Sequence, residues 1–254
     1  MHRFYISPEN WNRGALALTG PEAHHARDVL RVRLSEKVVL FNGQGREITV
    51  EIADLSDDEI GLRKLHEAET PPLRCRIVLG QAIPKGKNME LIVQKAVEIG
   101  AAEIAPIISD RTIVQVDSES AVQKQSKWQQ IAIEAAKQCG QNWLPRVHTP
   151  KKLAELFSAV AAESFDLRLI GSLQPGAQHL KKILTDYSSQ HQHCPGSVLM
   201  LVGPEGDFTP AELALARRHG CQPITLGPII LRVETAAIYC LSVLSYELLI
   251  QSGG

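Results

Sequence analysis

Two segments carry residues whose types and spacing could do chemistry. In Leu201-Val202-Gly203-Pro204-Glu205-Gly206-Asp207 an apolar run ends in Gly-Pro and acidic residues follow. In Leu226-Gly227-Pro228-Ile229-Ile230-Leu231-Arg232-Val233-Glu234-Thr235 another Gly-Pro corner leads to a guanidinium and a carboxylate. Such groups at a chain corner can hold a charged ligand, offset developing charge or take a proton. The glycines admit close backbone approach and the prolines stiffen each corner. Arg232 and Glu234 stand two apart and would not face each other on a helix. They are expected in a loop and a first helical turn, where an acid suits the positive helix start. An ordinary glycine-containing βα turn would explain the first segment alone, and a helix cap plus a surface ion pair the second. Two similar corners, each followed by charge, point instead to a site. A third segment, Pro84-Lys85-Gly86-Lys87-Asn88, sets two lysines around a glycine before a helix, a reasonable phosphate contact.

Other chemistries lack their residues. There is no G-x-x-x-x-G-K-[ST] loop, and no G-x-G-x-x-G after a strand, so nucleotide folds of those kinds are not indicated. Ser172, Ser242 and Ser245 lack a G-x-S-x-G setting. His191-Gln192-His193-Cys194 has no second cluster to complete a tetrahedral site, so it reads as a polar loop and no metal is expected. His24 and His25 fit acid–base work, phosphate contact or simple solvation. The five cysteines include no C-x-x-C pair and read as reduced thiols.

The elements that must position these residues change character near residue 72. Within 1–72, Val38–Phe41 and Glu47–Ile52 read as strands around Asn42-Gly43-Gln44-Gly45, with Ile48, Val50 and Ile52 alternating with polar residues. Asp57-Asp58-Glu59 marks a further turn. Short strands with turns suggest a small β-barrel or sandwich. Thr70-Pro71-Pro72 is a plausible linker. From 73 to 254 strands and helices alternate. Strands are expected at 75–79, 104–108, 166–170, 197–202 and 223–226. Asn88 is expected to cap a helix whose buried face is Met89, Ile92, Val93, Ala96 and Val97, ended by Gly100. Further helices are expected over 121–139, from Thr149-Pro150, from the Thr209–Glu212 capping box to Gly220, and over 234–251. This is an α/β pattern with a parallel or mostly parallel sheet.

The 254 residues are 44% hydrophobic and 22% charged, with a formal net charge of −1, so bulk charge does not bind this chain to nucleic acid. Charge is uneven, however. Residues 1–33 hold five arginines against three acids, and 73–150 hold ten basic residues against seven acids, a layout that fits either a local grip on a polyanion or scattered solvated charge. No apolar run approaches a membrane span or a signal peptide, so a cytoplasmic location is expected.

Taken in order, these segments resemble the bacterial 16S rRNA uridine-N3 methyltransferase family. The matching residues are His25-x-x-x-Val29-Leu30-Arg31, Lys85-Gly86-x-x-Met89-Glu90, Lys95–Gly100 (Lys-Ala-Val-Glu-Ile-Gly), Gly203-Pro204-Glu205-Gly206, Leu226-Gly227-Pro228 and Ile230-Leu231-Arg232-x-Glu234-Thr235-Ala236. The resemblance covers nearly the whole chain. It implies the SPOUT class: a trefoil-knotted α/β domain over 73–254 with a mostly parallel sheet, preceded by a PUA-like RNA-binding β-barrel over 1–72. It implies S-adenosylmethionine as cofactor, 16S rRNA within the small ribosomal subunit as substrate, and a homodimer through the C-terminal domain. The implied cofactor residues are Leu201, Val202, Gly203, Pro204, Glu205, Gly206, Leu226, Gly227, Ile230, Leu231, Arg232 and Thr235. For the methyl transfer this would entail, Arg232 is expected to hold charge on the base, and Glu205 or Glu234 to position the cofactor or accept the proton. Arg3, Arg13, His25, Arg27, Arg31, Arg33, Lys85, Lys87 and Arg111 would contact RNA. The chain departs from the family pattern at Gln141, Asp207, Ile229 and Val233. A non-catalytic RNA-binding or ribosome-assembly factor of the same fold is the alternative.

Overall fold

The computed structural model describes residues 1–11, 17–56, 59–113, 116–159 and 164–249. Two compact units result: Met1–Pro72 with Ile133–Leu144, and Leu73–Ala132 with Pro145–Gly254. The first unit thus takes in 133–144 as well as 1–72. Continuity along the chain gives no sign of such a return.

The first unit contains β1 (Arg3–Tyr5), α1 (Pro8–Trp11), β2 (Ala17–Thr19), α2 (Gly20–His24), a π turn (His25–Val29), β3 (Lys37–Phe41), β4 (Arg46–Leu55) and β5 (Glu59–Glu69). Its sheet runs β1-β3-β4-β5-β2. The expected hairpin forms as β3–β4, with Val39 opposite Thr49 and Leu40 opposite Ile48. Asn42 closes the turn by accepting from the backbone N–H groups of Gln44 and Arg46 at 2.8 and 3.1 Å. Alternation sends Ile48, Val50 and Ile52 inward, where they meet Phe4, Trp11, Leu18 and Ile60 in one core. The turn read at 57–59 is partly outside the described residues, and Glu59 begins β5, a strand the sequence reading did not include.

The second unit contains β6 (Arg76–Ala82), α3 (Asn88–Ile99), β7 (Glu103–Ile108), α4 (Ser118–Cys139, whose last residues join the first unit), β8 (Arg146–Val147), β9 (Lys151–Lys152), α5 (Leu153–Ala159) and β10 (Leu167–Gly171). It continues with β11 (Gln178–His179), α6 (Leu180–His191), β12 (Ser197–Val202), α7 (Pro210–Arg218), β13 (Gln222–Thr225) and α8 (Val233–Leu248). The sheet order is β11-β13-β10-β12-β6-β7-β8, with β9 also on β7. Every described pairing in it is parallel. Parallel strands need crossovers, and the helices supply them.

Pro106 sits inside β7 without breaking it. On one side it lies opposite Gln81 of β6. On the other side β8 pairs with Glu103 and Ile104 and β9 with Ile107 and Ile108, so the prolyl nitrogen falls at the gap between them.

Helix α3 buries the five residues read from its periodicity, Met89, Ile92, Val93, Ala96 and Val97, and packs on α8. Full burial of a side chain such as Ile92 stabilises by about 1.5–3 kcal/mol. The start of α3 differs from expectation. Lys87 occupies the cap position and Asn88 is already helical, its side chain directed to Glu234 rather than to its own helix. Thr149-Pro150 likewise does not open a helix. The chain first adds β9 to the sheet, and α5 follows from Leu153. Helix α6 was not read from the sequence, because its mean polarity is high and its buried residues are just Leu180, Ile183 and Leu184. Among the described residues no helix is long and apolar enough to cross a membrane.

Candidate active site

In the order β13-β10-β12 three neighbouring parallel strands end on one edge of the sheet. Ligands in such sheets collect beyond the carboxyl ends of the strands. The three following loops, Ser172-Leu173, Gly203–Asp207 and Leu226–Arg232, enclose a cavity of about 430 Å³. That size falls within the roughly 300–1,000 Å³ usual for small-molecule sites.

Local chemistry shapes each loop. Asp207 has φ +63°, the left-handed region, where Asp is tolerated because its short side chain can bond locally. Here its Oδ1 accepts from Phe208 N at 2.8 Å and its Oδ2 from Leu173 N at 3.4 Å, so one carboxylate ties the β12 loop to the β10 loop. The turn closes with Asp207 N donating to Pro204 O at 3.0 Å. Thr209 and Glu212 then form the expected capping box of α7. Glu212, buried, also accepts from Ser109 Oγ and Asp110 N, which fixes the loop carrying Arg111. Arg111 in turn donates to the carbonyl of Gly206. In the β13 loop Gly227 has φ +112°, a conformation open to glycine and costly for other residues. Thr225 Oγ1 accepts from Gly227 N at 3.3 Å and holds that corner. The chain runs on through exposed Ile229 and Ile230 to Arg232, the cap residue of α8.

The cavity wall combines apolar Val202, Leu226, Ile230 and Leu231 with Glu205, Asp207, Arg232 and Glu234. The side chain of Arg232 is exposed and has no hydrogen-bond or ion-pair partner among the described residues, which leaves its guanidinium available to a ligand. Both other acids are tethered on one oxygen. Glu205 Oε1 accepts from Lys85 N at 2.9 Å, and Glu234 Oε2 accepts from Asn88 Nδ2 at 3.2 Å. Three carboxylates around an apolar slot suit a ligand that is partly cationic and partly aromatic.

Of the cofactor residues expected from sequence, Val202, Gly203, Pro204, Glu205, Leu226, Gly227, Ile230, Leu231 and Arg232 line the cavity together. Leu201, Gly206 and Thr235 do not. Leu201 is fully buried in the core with Ile107, Leu156 and Phe208, because strand alternation turns it away from the face Val202 serves. Gly206 is on the exposed outside of its loop, where Arg111 meets it. Thr235 is exposed on α8 outside the lining formed by Val233, Glu234 and Ala236.

The expected RNA contacts divide more sharply. Arg3 is a correction. Its side chain is 15% exposed, bonds Glu47 and Asn142 and stacks over Phe41, so it is internal to the first unit. Arg27 is engaged with Asp28. His25 is half-buried, edge-on to the Phe4 ring. Arg31, Arg33, Lys85 and Lys87 are exposed. Arg13 lies outside the described residues.

Sequence reading missed Ser172, Leu173, Asn88 and Asp207 as lining residues. The strand before Ser172 had been recognised, and extending the strand-end rule to every neighbouring strand would have found that loop.

Comparisons with known proteins identify the family. The RNA methyltransferase domain family matches residues 71–245, and the RNA methyltransferase PUA domain matches residues 18–65. The ribosomal RNA small subunit methyltransferase E of Bacillus subtilis is 30% identical over 234 residues, 91% of this chain and 90% of its own length. The chain belongs to the ribosomal RNA small subunit methyltransferase E family. A family structure from Neisseria gonorrhoeae, bound to S-adenosyl methionine, is 32% identical with a TM-score of 0.81, covering 97% of this chain and 98% of that one. A Legionella pneumophila methyltransferase with bound SAM is 33% identical with a TM-score of 0.83, covering 96% and 97%. Family membership explains the PUA-like first unit and the mostly parallel second one.

Proposed function

We propose that this chain is an S-adenosylmethionine-dependent methyltransferase acting on N3 of a uridine in 16S rRNA of the small ribosomal subunit. The observation that carries the reading is the cavity at the ends of β10, β12 and β13, with an unpaired Arg232 in its wall, in a chain of this family. The cavity fits the cofactor. Val202, Leu226, Ile230 and Leu231 offer the apolar slot an adenine needs, and the backbone at Gly203 and Gly227 is open to its edge. Glu205, Asp207 and Glu234 offset positive charge on the donor. When bound, the cofactor supplies an electrophilic methyl group.

The rest falls to the chain's own residues. Uridine N3–H is a weakly acidic imide, so its proton must leave and the charge spread onto the carbonyl oxygens must be held. Arg232 is placed to stabilise that charge by a charge-assisted hydrogen bond. Glu205 and Glu234 each keep one carboxylate oxygen beyond their tether, able to accept the proton or orient the donor. The base must be unstacked to reach the cavity. Arg31, Arg33, Lys85, Lys87 and Arg111 hold backbone phosphates. In this reading 1–72 is the RNA-holding PUA-like domain and 73–254 the methyltransferase domain, its chain passing through a trefoil knot, and the protein works in the cytoplasm. A homodimer through the second unit is supported by α8, which exposes the aromatic rings of Tyr239 and Tyr246, seven residues apart.

The deciding experiment is Arg232→Ala. Methylation of small subunits should fall by roughly 10²–10³ in kcat while calorimetric cofactor affinity stays within about twofold. Full activity in that variant would remove Arg232 from the mechanism. Nucleoside mass spectrometry of the product locates the methyl group, and a methyl group on any atom other than N3 defeats the assignment.

A further inference from the structure

The loop Pro84–Asn88 has two sides. Asn88 lines the cavity described above, and the loop is fastened there by Glu205 at Lys85 N and by Glu234 at Asn88. Gly86 and Lys87 line a second, smaller hollow of about 210 Å³, together with Met89 and Glu90 of α3 and with Lys124, Lys127 and Trp128 of α4. Three ammonium groups therefore face one hollow that holds a single carboxylate. Lys127 Nζ pairs with Glu90 Oε1 at 2.6 Å. Lys87 and Lys124 have no partner among the described residues, and Lys124 is half-buried. Lys124 and Lys127 are three apart on one helix, where like charges repel. Trp128, buried, forms a flat apolar floor beside them. The α3 start adds its positive dipole end. Two unpartnered ammonium groups beside a third that shares one carboxylate are stabilised by an anion with several acceptor oxygens.

We propose that this hollow binds a backbone phosphate of the RNA substrate, using Lys124 and Lys127 with Lys87. The proposal rests on the methyltransferase reading for the identity of the polyanion. Its position has a consequence for catalysis. A phosphate held on one face of the 84–88 loop fixes the strand next to the cavity on the other face, so it acts on substrate capture and not on the donor.

The test compares Lys124→Gln/Lys127→Gln with the unmodified protein and with Lys181→Gln/Lys182→Gln, which removes the same charge from α6. The readouts are affinity for a small-subunit rRNA fragment across a salt series, calorimetric cofactor affinity, and the separate KM and kcat of methylation. The proposal expects the α4 variant to bind RNA roughly tenfold more weakly, with its salt slope reduced by about 1–2. KM for RNA should rise while kcat and cofactor affinity hold, and Lys124→Arg/Lys127→Arg should restore binding. RNA affinity equal to that of the α6 control overturns it, whether or not methylation proceeds. Lysine-dependent RNA binding without methyl transfer supports the hollow and defeats the methyltransferase reading. No RNA binding by the unmodified protein defeats both.

Discussion

Single residues divide according to the sheet edge they occupy. The cavity collects at the carboxyl ends of the strands, and the opposite edge holds a charge cluster with a structural role. Glu103 opens β7 there. Its Oε2 meets His148 Nε2 at 2.6 Å, and its Oε1 accepts from Arg76 Nε at 2.7 Å. The hydrogen bond to His148, with those from Arg76, outweighs burial and brings the Glu103 carboxyl from 4.5 down to about 2. The folded protein thus prefers the ionised carboxylate more strongly than the unfolded chain does. Glu103 contributes stability in full above about pH 4.5, and that contribution fades as pH falls toward 2. With screening allowed for a carboxylate still one-fifth exposed, it is worth about 2 kcal/mol. Denaturant titrations should show Glu103→Gln weaker than the unmodified protein by that amount near neutrality. The gap should close by about pH 2, and cofactor affinity should not change. A gap constant with pH would mean the loss is packing rather than charge.

Elements explain why some of the site was legible and some was not. The two Gly-Pro corners were readable because they recur: one alone is an ordinary turn, but two strand ends of the same kind, each followed by charge, mark a site. The capping box Thr209–Glu212 was readable from residue types alone, and so was the buried face of α3. Leu201 was misread as a wall of the cavity, because alternation tells which residues share a face but not which face the ligand takes. What decides it lies on another strand. Gly80 in β6 stands opposite Leu201, and a Cβ built there would lie 2.4 Å from Leu201 Cδ2 and 3.3 Å from Ile107 Cδ1. The missing side chain at Gly80 is the space Leu201 fills. Gly80→Ala should therefore cost about 1–3 kcal/mol through overpacking. Leu201→Val in the same chain should recover part of it, although Leu201→Val alone removes a buried methylene. Coupling of the two substitutions in a double-mutant cycle checks this, and simple additivity would show that the strands adjust around the new methyl. The role of Asn88 was illegible for a related reason: its partner Glu234 lies 146 residues along the chain.

At the scale of the whole molecule the first unit is not a contiguous stretch of chain, and this sets how it must unfold. Residues 133–144 return to it and bring Asn142, a buried side chain that satisfies three others at once. Its Nδ2 donates to Glu47 Oε2 at 2.9 Å and to Thr70 Oγ1 at 2.8 Å, and its Oδ1 accepts from Arg3. Burial would raise the Glu47 carboxyl, but the hydrogen bonds from Asn142 and Arg3 reverse that and leave it lowered. Trp143 adds a bond from Nε1 to Thr70 O at 2.8 Å, and Gly45 N donates to Asn142 O at 2.9 Å. Removing the Asn142 side chain leaves a half-buried carboxylate with one of its two donors and a guanidinium short of an acceptor. Leaving such groups unpaired costs about 1–3 kcal/mol each where they are desolvated, so Asn142→Ala should weaken this unit by about 2–3 kcal/mol. The loss should be local, since the second unit has its own core around β6, β10 and β12. Hydrogen exchange on the full chain should show faster exchange in β1, β4 and the end of β5, with β6, β10 and β12 protected as before. Cofactor affinity should hold, while the proposed phosphate contacts of Arg31 and Arg33 predict a weaker affinity for rRNA. Uniform loss of protection across both sheets would mean instead that the two units unfold as one, and that the return of 133–144 couples them rather than completing the first.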